Sequence, residues 1–391
     1  MRVLMIDVSS EDGGAGRSFQ ELVITLKKQY PNIEPVVLCS HKHGHIDKFK
    51  DNGIEAYPTL HEAFNYSRDS KTLVYLAKIF PRFVRYIICD IYALIYLEKN
   101  VDMKSIDLIH TNSIRNDIGM ILAKKYQIPH ILHLREFGSK GLDYDVRYFR
   151  CKPIQYVDER VNRYIAITSA VKNYWVNVNK INKSKISIVY NGIDDTDIKV
   201  RNKRCKHLPM RIVMTGYFCK AKGQDELVRA LTYLPCYILK NIHVDFIGNG
   251  DNDYINSIKK IIYGNNLQNV VSFLGKQDNV HKRLWQYDIG VTCSRAEAFG
   301  RVTAEYMLAG LCVIASNTGG NLELIKNNVT GLLYKYGNPQ SLTEEIVGLY
   351  NDYRLLETLA NNGNKFAKSN FVTQKNVAGI VNVYRQVLEY K

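Results

Sequence analysis

The feature that most constrains the fold of this chain is a rhythm of short β-rich runs that alternate with longer amphipathic stretches. In the first half the β-rich runs are RVLMIDV, PVVLCS, DLIHTN, PHILHL and RYIAIT, and amphipathic stretches such as 17–30 and 115–127 lie between them. This alternation is typical of βαβ units, which place their strands in a parallel sheet. The chain is therefore predicted to be an α/β protein.

The same rhythm starts again after a polar, basic stretch, RNKRCKHLP, at 201–209. The second series of β-rich runs is RIVMTG, HVDFIG, VSFLG, IGVTC and LCVIAS. A chain of 391 residues is too long for one ordinary core and suits two domains of roughly 150–200 residues each. We predict two doubly wound domains, at 1–200 and 208–371, and a C-terminal helix at 372–391 that could cross back to the first.

Charge and cysteine content restrict the partners and the compartment. Lys and Arg outnumber Asp and Glu, 53 to 38, which favours a polyanionic neighbour such as nucleic acid, anionic lipid or a phosphorylated substrate. Nucleic acid is not expected, because the basic residues are dispersed and no recognised module is present. The 8 cysteines are scattered without a CxxC pair, so neither a disulfide framework nor a zinc site is predicted. With a strand in place of a signal peptide at the start, these features predict a cytoplasmic protein.

The stretch 73–97 is apolar enough to raise the question of a membrane span. Five residues interrupt it: Lys78, Pro81, Arg82, Arg85 and Asp90. No uninterrupted run of about 20 apolar residues remains, so a span is not predicted. Two interpretations of this stretch stay open. It forms either a pair of helices in the domain core or a basic, aromatic surface that lies on anionic lipid.

The run EAFGRVTAE at 297–305 places two carboxylates around the expected start of a helix. The helix is predicted to begin near Arg301 and to end before Gly310, so that Glu297 lies in the preceding loop and Glu305 one turn inside. Backbone amides at a helix N-terminus attract phosphate. Carboxylates beside a phosphate site are expected to bind hydroxyls, because they repel the phosphate itself. The pattern favours a diphosphate flanked by a sugar and a ribose, and the alternative is two glutamates with no role in a site.

With several other motifs, this run resembles the retaining glycosyltransferases of family 4, whose E-x7-E motif Glu297 and Glu305 match. The resemblance covers nearly the whole chain, through EDGGAGRS, DLIHTNS, IPHILHLREFG, YIAITSAVK, KISIVYNGID, GYFCKAKG, FIGNG, VSFLG and SNTGGNLELIKNNVTGLLY. The E-x7-E spacing alone is a weak signal, but it is specific when it follows the other motifs in this order. The resemblance implies the α/β GT-B architecture, in which two Rossmann-like doubly wound domains face each other across a cleft.

The resemblance implies that the second domain binds the donor. Glu297 would contact the hydroxyls of the donor sugar and act as a catalytic residue, and Glu305 would bind the ribose hydroxyls. The donor diphosphate would lie against the amides at the start of the helix, which are those of Phe299, Gly300, Arg301 and Val302.

The same resemblance implies two cations for the diphosphate, and this chain supplies one of them. Lys222 of KAKG matches the lysine of the family and would be both catalytic and donor-binding. Where the family has an arginine, directly after the glycine of the first strand of the second domain, this chain has Tyr217. Lys220 or Arg295 would have to replace the missing charge.

In the first domain, the resemblance places Gly14 and Gly16, together with Gly13, in a loop where the backbone approaches the donor phosphate and the acceptor. The alternative is a tight turn from strand to helix. His133 would lie beside the donor sugar and the reaction centre as a catalytic residue. The alternative for an isolated histidine is an ordinary core or surface residue.

Asn191, a donor-binding residue by the same resemblance, and Gly192 match a family turn near the cleft. The alternative is a plain type I′ or asparagine-glycine turn. Arg135 and Glu136 are open to two interpretations, in which they pair with each other or line the acceptor side.

The function implied is retaining transfer of a sugar from a nucleotide-diphosphate sugar, with UDP favoured over GDP, to a saccharide or lipid-linked acceptor in bacterial surface polysaccharide synthesis. No cofactor and no metal are expected, because Lys222 and the helix amides would stabilise the departing diphosphate. The DxD-like run at 251–253 lies in a loop after FIGNG and is not expected to bind metal. Peripheral contact with the inner face of an anionic membrane is expected from the charge.

Other functions fit parts of the sequence. A nicotinamide dehydrogenase is not predicted, because GGAGRS lacks the third glycine of G-x-G-x-x-G and PVVLCS ends without the acid that binds ribose. A GT-B nucleotide-sugar 2-epimerase shares the architecture and would need no acceptor. A non-catalytic partner subunit that binds sugar nucleotide is a further alternative, because Tyr217 replaces the expected cation.

Overall fold

The structure, a computed structural model, describes residues 1–7, 13–40, 45–59, 65–67, 72–115, 117–137, 144–146, 157–200 and 208–389. The chain divides into two compact units. The first comprises Met1–Gly192 and Thr373–Lys391, and the second comprises Ile193–Val372.

The first unit is built on a parallel sheet. Its strands are β1 (Arg2–Asp7), β2 (Glu34–Ser40), β3 (Glu55–Thr59), β5 (Leu108–Thr111), β6 (His130–Leu134), β8 (Arg163–Ala166) and β9 (Ile186–Ile188), and a separate antiparallel pair is formed by β4 (Asn65–Ser67) and β7 (Tyr144–Val146). Its helices in this part of the chain are α1 (Gly14–Gln29), α2 (His45–Asp51), α3 (Thr72–Asn100), α4 (Ile118–Tyr126) and α5 (Ser169–Asn177), with short 3-10 helices at Met103–Ser105 and Lys183–Lys185.

The order of the strands in this sheet is β3-β2-β1-β5-β6-β8-β9. Strand β1 lies between β2 and β5, and its residues Val3, Met5 and Ile6 have no exposed surface, as expected for a parallel strand covered on both faces. The order of the strands reverses at β1. In open α/β sheets, ligands bind at the carboxyl ends of the strands beside such a reversal.

The second unit repeats the same plan. Its strands are β10 (Met210–Thr215), β11 (Ile242–Ile247), β12 (Val271–Phe273), β13 (Ile289–Thr292), β14 (Cys312–Ser316) and β15 (Leu332–Tyr334). Its helices are α6 (Gln224–Leu231), α7 (Cys236–Leu239), α8 (Asn252–Gly264), α9 (Arg301–Leu308), α10 (Asn321–Leu324), α11 (Pro339–Asn351) and α12 (Tyr353–Asn370), with 3-10 helices at Val280–Lys282 and Leu284–Gln286. The strand order is β12-β11-β10-β13-β14-β15, so the reversal lies at β10.

The last helix, α13 (Thr373–Glu389), belongs to the first unit. It packs against α1, and its residues Val377, Ile380 and Tyr384 join Phe19 and Leu22 of α1 in one buried cluster on a face of the first sheet. The end of the chain therefore completes a core that begins with the first strand.

Helix α3 is a single helix of 29 residues that continues past Pro81, so the interpretation of this stretch as a pair of helices is wrong. One side of α3 is buried through Tyr86, Ala93 and Leu97. The opposite side carries exposed apolar residues at helical spacing, which we call the apolar stripe: Phe80, Val84, Ile88, Ile91, Tyr92 and Ile95. Within the described residues, no helix has both the length and the apolar character needed to cross a membrane.

Candidate functional site

Two loops of the second unit meet at the carboxyl ends of β10 and β13, which are neighbours at the strand reversal. The backbone N–H of Arg295 donates to the carbonyl of Ala221 at 2.9 Å and joins the loops. Gly223 has a φ of +70°, and a Cβ at this position would lie 2.5 Å from the carbonyl oxygen of Cys293. A residue without a side chain is therefore required for this close approach.

Because the loops meet, Lys222 and Glu297 form an ion pair although 75 residues separate them in sequence. The ammonium Nζ of Lys222 lies 2.9 Å from the carboxylate Oε2 of Glu297. The charge of Glu297 raises the pKa of Lys222. Burial would raise the pKa of Glu297, but the charge of Lys222 and hydrogen bonds from Ser294 and the amide of Gly300 outweigh it and lower that pKa. Both groups are therefore charged at neutral pH.

Two glycines, Gly319 and Gly320, hold the backbone of Glu297. Both lie in the motif SNTGGNLELIKNNVTGLLY, and neither had a predicted role. The N–H of Gly320 donates to the carbonyl of Glu297 at 2.7 Å. A Cβ at Gly319 would collide with that same carbonyl oxygen, and one at Gly320 would collide with the carbonyl of Phe299. The signal in the sequence was the glycine pair that follows the buried strand β14, since adjacent glycines mark a close approach of backbone.

Helix α9 begins at Arg301 and ends at Leu308, as predicted from the sequence. Its N-cap, Gly300, has a φ of +101°. A hydrogen bond from the amide of Gly300 is among the causes that lower the pKa of Glu297. The ring of Phe299 is only 3% exposed and packs edge-on against Phe371. Phe299 can therefore contribute to a ligand site only through its backbone.

Glu305 is held by a residue of its own helix. Its Oε1 lies 3.0 Å from Nε of Arg301, and the two side chains are 18% and 15% exposed. The carboxylate is thus fixed in place but still reaches solvent. Val302, which follows Arg301 in the first turn, is also partly exposed.

The position of the missing cation is occupied by a surface residue, because Tyr217 is 58% exposed. Its carbonyl accepts a hydrogen bond from Nε2 of Gln224 at 3.0 Å. The two substitutes considered from the sequence, Lys220 and Arg295, are exposed and lie on the same two loops as the ion pair.

The DxD-like run caps a helix. The carboxylate of Asp251 accepts hydrogen bonds from the N–H groups of Asp253 and Tyr254, at 2.8 and 3.2 Å, and so forms the N-cap of α8. In the described part of the chain, no group of three or more His, Cys, Asp or Glu side chains is arranged to hold a metal ion.

In the first unit, buried polar side chains follow the carboxyl ends of strands. The guanidinium of Arg135 donates to Oδ1 of Asn112 and to Oδ1 of Asn191, each at 2.6 Å. Asn112 donates in turn to Asp7 at 2.8 Å. Glu136 accepts from Nε of Arg115 at 2.9 Å. Sequence reasoning missed Asp7 and Asn112, although a polar residue at the end of a buried strand is a signal for this sheet edge.

The alternative of a type I′ turn at Asn191 and Gly192 is excluded, because neither is among the described residues with positive φ. A Cβ at Gly192 would instead collide with the backbone of Thr373, where α13 begins. At the predicted glycine-rich loop, α1 begins at Gly14 after the N-cap Gly13, and Gly16 is buried. Residues 8–12 of that loop lie outside the described residues.

His133 on β6 is fully buried. It lies at one end of a chain of hydrogen bonds that continues through His110 to Tyr384. Its Nδ1 lies 3.2 Å from Nε2 of His110, whose Nδ1 lies 2.6 Å from the hydroxyl of Tyr384 on α13. Burial, followed by the charge of Arg135, lowers the pKa of His110 to about 3 and puts the pKa of His133 well below its usual value. Both imidazoles are therefore neutral at physiological pH.

Family models match both halves of the chain. The model described as Glycosyltransferase Family 4 matches residues 12–197. The model described as Glycosyl transferases group 1 matches residues 197–366.

Three individual proteins that match this chain are 20–29% identical to it. An uncharacterized glycosyltransferase of Methanocaldococcus jannaschii is 29% identical over 293 residues, which are 73% of this chain and 77% of that protein. The capsular polysaccharide biosynthesis glycosyltransferase CapM of Staphylococcus aureus is 25% identical, over 66% of this chain and 69% of that protein. The crystal structure of HepE from Anabaena in complex with UDP-glucose matches with a TM-score of 0.76 at 20% identity, over 99% of this chain and 100% of that chain. The two chains share one fold.

Proposed function

The chain belongs to the glycosyltransferases of group 1 and family 4, whose two models match residues 12–366 between them, and we propose that it is a retaining glycosyltransferase that takes its sugar from a UDP-sugar. The family and the GT-B fold predicted from the sequence are confirmed. The observation that carries the proposal is the Lys222–Glu297 ion pair at the strand reversal of the second unit, 2.9 Å long and partly exposed. UDP is favoured over GDP because the structural neighbour HepE binds UDP-glucose.

In the proposed reaction, an acceptor hydroxyl attacks the anomeric carbon from the face that the diphosphate leaves. The bond from the anomeric carbon to the diphosphate oxygen breaks, a bond to the acceptor oxygen forms, and the proton of the acceptor passes to the departing diphosphate. Lys222 stabilises the negative charge that develops on the diphosphate. Glu297 has its carboxylate fixed by Ser294 and Gly300 and binds sugar hydroxyls, while Glu305 binds the ribose.

The proposed acceptor is a saccharide or a lipid-linked saccharide, in the assembly of a bacterial surface polysaccharide. The similarity to CapM, a capsular polysaccharide glycosyltransferase, supports this setting. The formal net charge of +15 supports an acceptor or a surface that carries phosphate.

A panel of nucleotide sugars tests the proposal directly. A donor that binds the folded protein raises the melting temperature by mass action, so UDP-sugars should raise it and GDP-sugars should not. Release of UDP that requires an added acceptor supports transfer. Conversion of the donor without acceptor would favour the epimerase, and binding without turnover under any acceptor would favour a non-catalytic subunit.

Activity should survive an excess of EDTA. The reason is that Lys222 provides the charge at the diphosphate, while Asp251 is engaged as the N-cap of α8. Turnover is compared before and after EDTA, with a manganese-dependent transferase as the positive control for chelation. Loss of turnover that manganese restores would contradict metal independence and would assign the 251–253 run to the metal.

We also propose that the apolar stripe of α3 lies on an anionic membrane. The stripe is exposed in the first unit, with Phe80 at 70% and Ile88 at 61% of their free surface, and Arg85 on the same helix is exposed as well. A helix with one apolar face and basic residues lies in the interface of a bilayer. The side chains of Lys78 and Arg82, which the sequence pattern also placed there, lie outside the described part of the structure.

The double variant Ile88→Ser and Ile95→Ser should release the protein from vesicles of phosphatidylglycerol. Each basic residue near an anionic bilayer contributes about 1 kcal/mol, so binding of the wild type should also weaken as salt rises. Co-sedimentation with vesicles measures both effects. Val178→Ser is the matched control, because Val178 is 59% exposed in the same unit but lies off the stripe. Equal sedimentation of the double variant and the wild type would exclude the stripe as the contact.

A further inference from the structure

The chain of Tyr384, His110 and His133 runs through the buried core of the first unit. All three side chains are fully buried. The ring planes of His110 and His133 are within 20° of each other and their centroids are 5.3 Å apart, and Tyr384 meets His110 edge-on. Within the described residues, Nε2 of His133 is buried and has no hydrogen-bond partner. A buried polar atom without a hydrogen-bond partner raises the free energy of the folded state, so it matters whether Nε2 of His133 carries a proton.

Two proton arrangements are compatible with the distances, since each neutral imidazole has one donor nitrogen and one acceptor nitrogen. In the first, Tyr384 donates to Nδ1 of His110, and Nε2–H of His110 donates to Nδ1 of His133. His133 then carries its proton on Nε2. In the second arrangement every bond is reversed, and Nε2 of His133 is a bare acceptor.

The hydroxyl of Tyr384 distinguishes the two arrangements. Its one hydrogen bond among the described residues is the bond to His110. In the reversed arrangement Tyr384 would accept from His110, and its own proton would be buried without an acceptor whatever bound at His133. In the first arrangement, the one group without a partner is Nε2–H of His133, whereas the reversed arrangement leaves both the phenol proton and Nε2 of His133 without partners. The first arrangement is therefore more stable.

We propose that Tyr384 and His110 are positioning residues that hold His133 as the tautomer protonated on Nε2, so that His133 donates a hydrogen bond to an oxygen of the sugar substrate and does not act as a base. This rests on the proposed function for the nature of the ligand. It assigns to the C-terminal helix a part in the site, through a residue 274 positions away from His110. The burial that keeps both imidazoles neutral also preserves the defined tautomer.

The tautomer can be measured without turnover. Protein labelled with ¹⁵N-histidine gives long-range ¹H–¹⁵N correlation patterns that differ between the two tautomers, and His133→Gln assigns the signals of His133. The wild type without nucleotide should show the proton of His133 on Nε2. A proton on Nδ1 would overturn the proposal. Because this result does not depend on activity, failure to turn over any nucleotide sugar would defeat the proposed function and leave the tautomer decided by the spectra.

Tyr384→Phe tests the positioning role. Removal of the phenol proton should give a second population of His133 tautomer and lower kcat about tenfold with little change in KM, as expected for one lost hydrogen bond at the reaction centre. Tyr86→Phe is the matched control, because its buried hydroxyl donates to Asp117 at 2.9 Å in the same unit. The control should keep the tautomer and kcat of the wild type. An unchanged tautomer in Tyr384→Phe would overturn the role of Tyr384, whatever its stability.

Discussion

Replacing Lys222 with alanine should lower kcat by about 10²–10³-fold, the usual effect of removing one preorganised charge from a transition state. The diphosphate gains negative charge as it leaves, and Lys222 is the cation that contacts Glu297 at 2.9 Å in the described site. KM for the donor should change less than kcat, because the charge is needed most when the bond breaks. Steady-state kinetics with a UDP-sugar and its acceptor measure both constants.

The controls for Lys222→Ala are on the same loop. Lys220→Ala removes an exposed lysine two residues away, one of the two candidates for the second cation, and should lower kcat less than Lys222→Ala does. Lys222→Arg keeps the charge and should recover part of the activity. If Lys220→Ala were the variant that lost turnover, Lys220 and not Lys222 would carry the charge.

Loss of Lys222 should also raise the pKa of Glu297. Burial is the largest influence on that carboxyl and raises its pKa, and the charge of Lys222 is the largest influence that lowers it. In the wild type the lowered pKa stabilises the fold above the unfolded pKa of a glutamate, and this stabilisation is lost as pH falls through the folded value. In Lys222→Ala burial is no longer opposed by that charge, so this stabilisation should shrink or reverse, and stability should fall less than in the wild type as the pH is lowered. Unfolding by urea across the acidic range compares the two proteins.

Glu305→Ala should weaken binding of UDP by roughly 1–3 kcal/mol, or about 5-fold to 150-fold, if the carboxylate binds both ribose hydroxyls. The fold should change little, because Glu305 is otherwise bound to Arg301 in an i,i+4 pair, and such pairs contribute about 0.2–0.5 kcal/mol. Calorimetry with UDP measures the affinity, and thermal unfolding checks the fold.

Glu345→Ala is the matched control for Glu305→Ala, since Glu345 is a half-buried glutamate on helix α11 of the same unit. It should bind UDP as the wild type does. Arg301→Ala removes the ion pair but keeps the carboxylate of Glu305, so it should lower the affinity for UDP less than Glu305→Ala does. Wild-type affinity in a folded Glu305→Ala protein would exclude the ribose role.

The two sheets and the start of α9 could be predicted because both depend on local patterns. Strands buried on both faces appear as short apolar runs, and Gly300 followed by helix-forming residues marks a helix start. The continuity of α3 through Pro81 could not be predicted, because proline removes one hydrogen bond of a helix and the surrounding interactions decide whether the helix continues.

The contacts of the site could not be predicted from local patterns. Lys222 and Glu297 are 75 residues apart, and Arg135 and Asn191 are 56 apart. Family resemblance named Lys222, Glu297 and Asn191, but it gave no partners for them. The partners follow from which loops meet at a sheet edge, and that depends on glycines such as Gly223 and Gly319, which permit the close approach.

The return of α13 to the first unit affects how the chain folds during synthesis. The second unit is continuous in sequence, from Ile193 to Val372, so all of its strands are available before the last helix is made. The core of the first unit lacks Val377, Ile380 and Tyr384 until the ribosome has added them. At about 5–20 residues per second, the wait from residue 192 to residue 384 lasts roughly ten to forty seconds. The unit that is made first is therefore the one whose core is completed last, and it is the unit that chaperones have most time to bind.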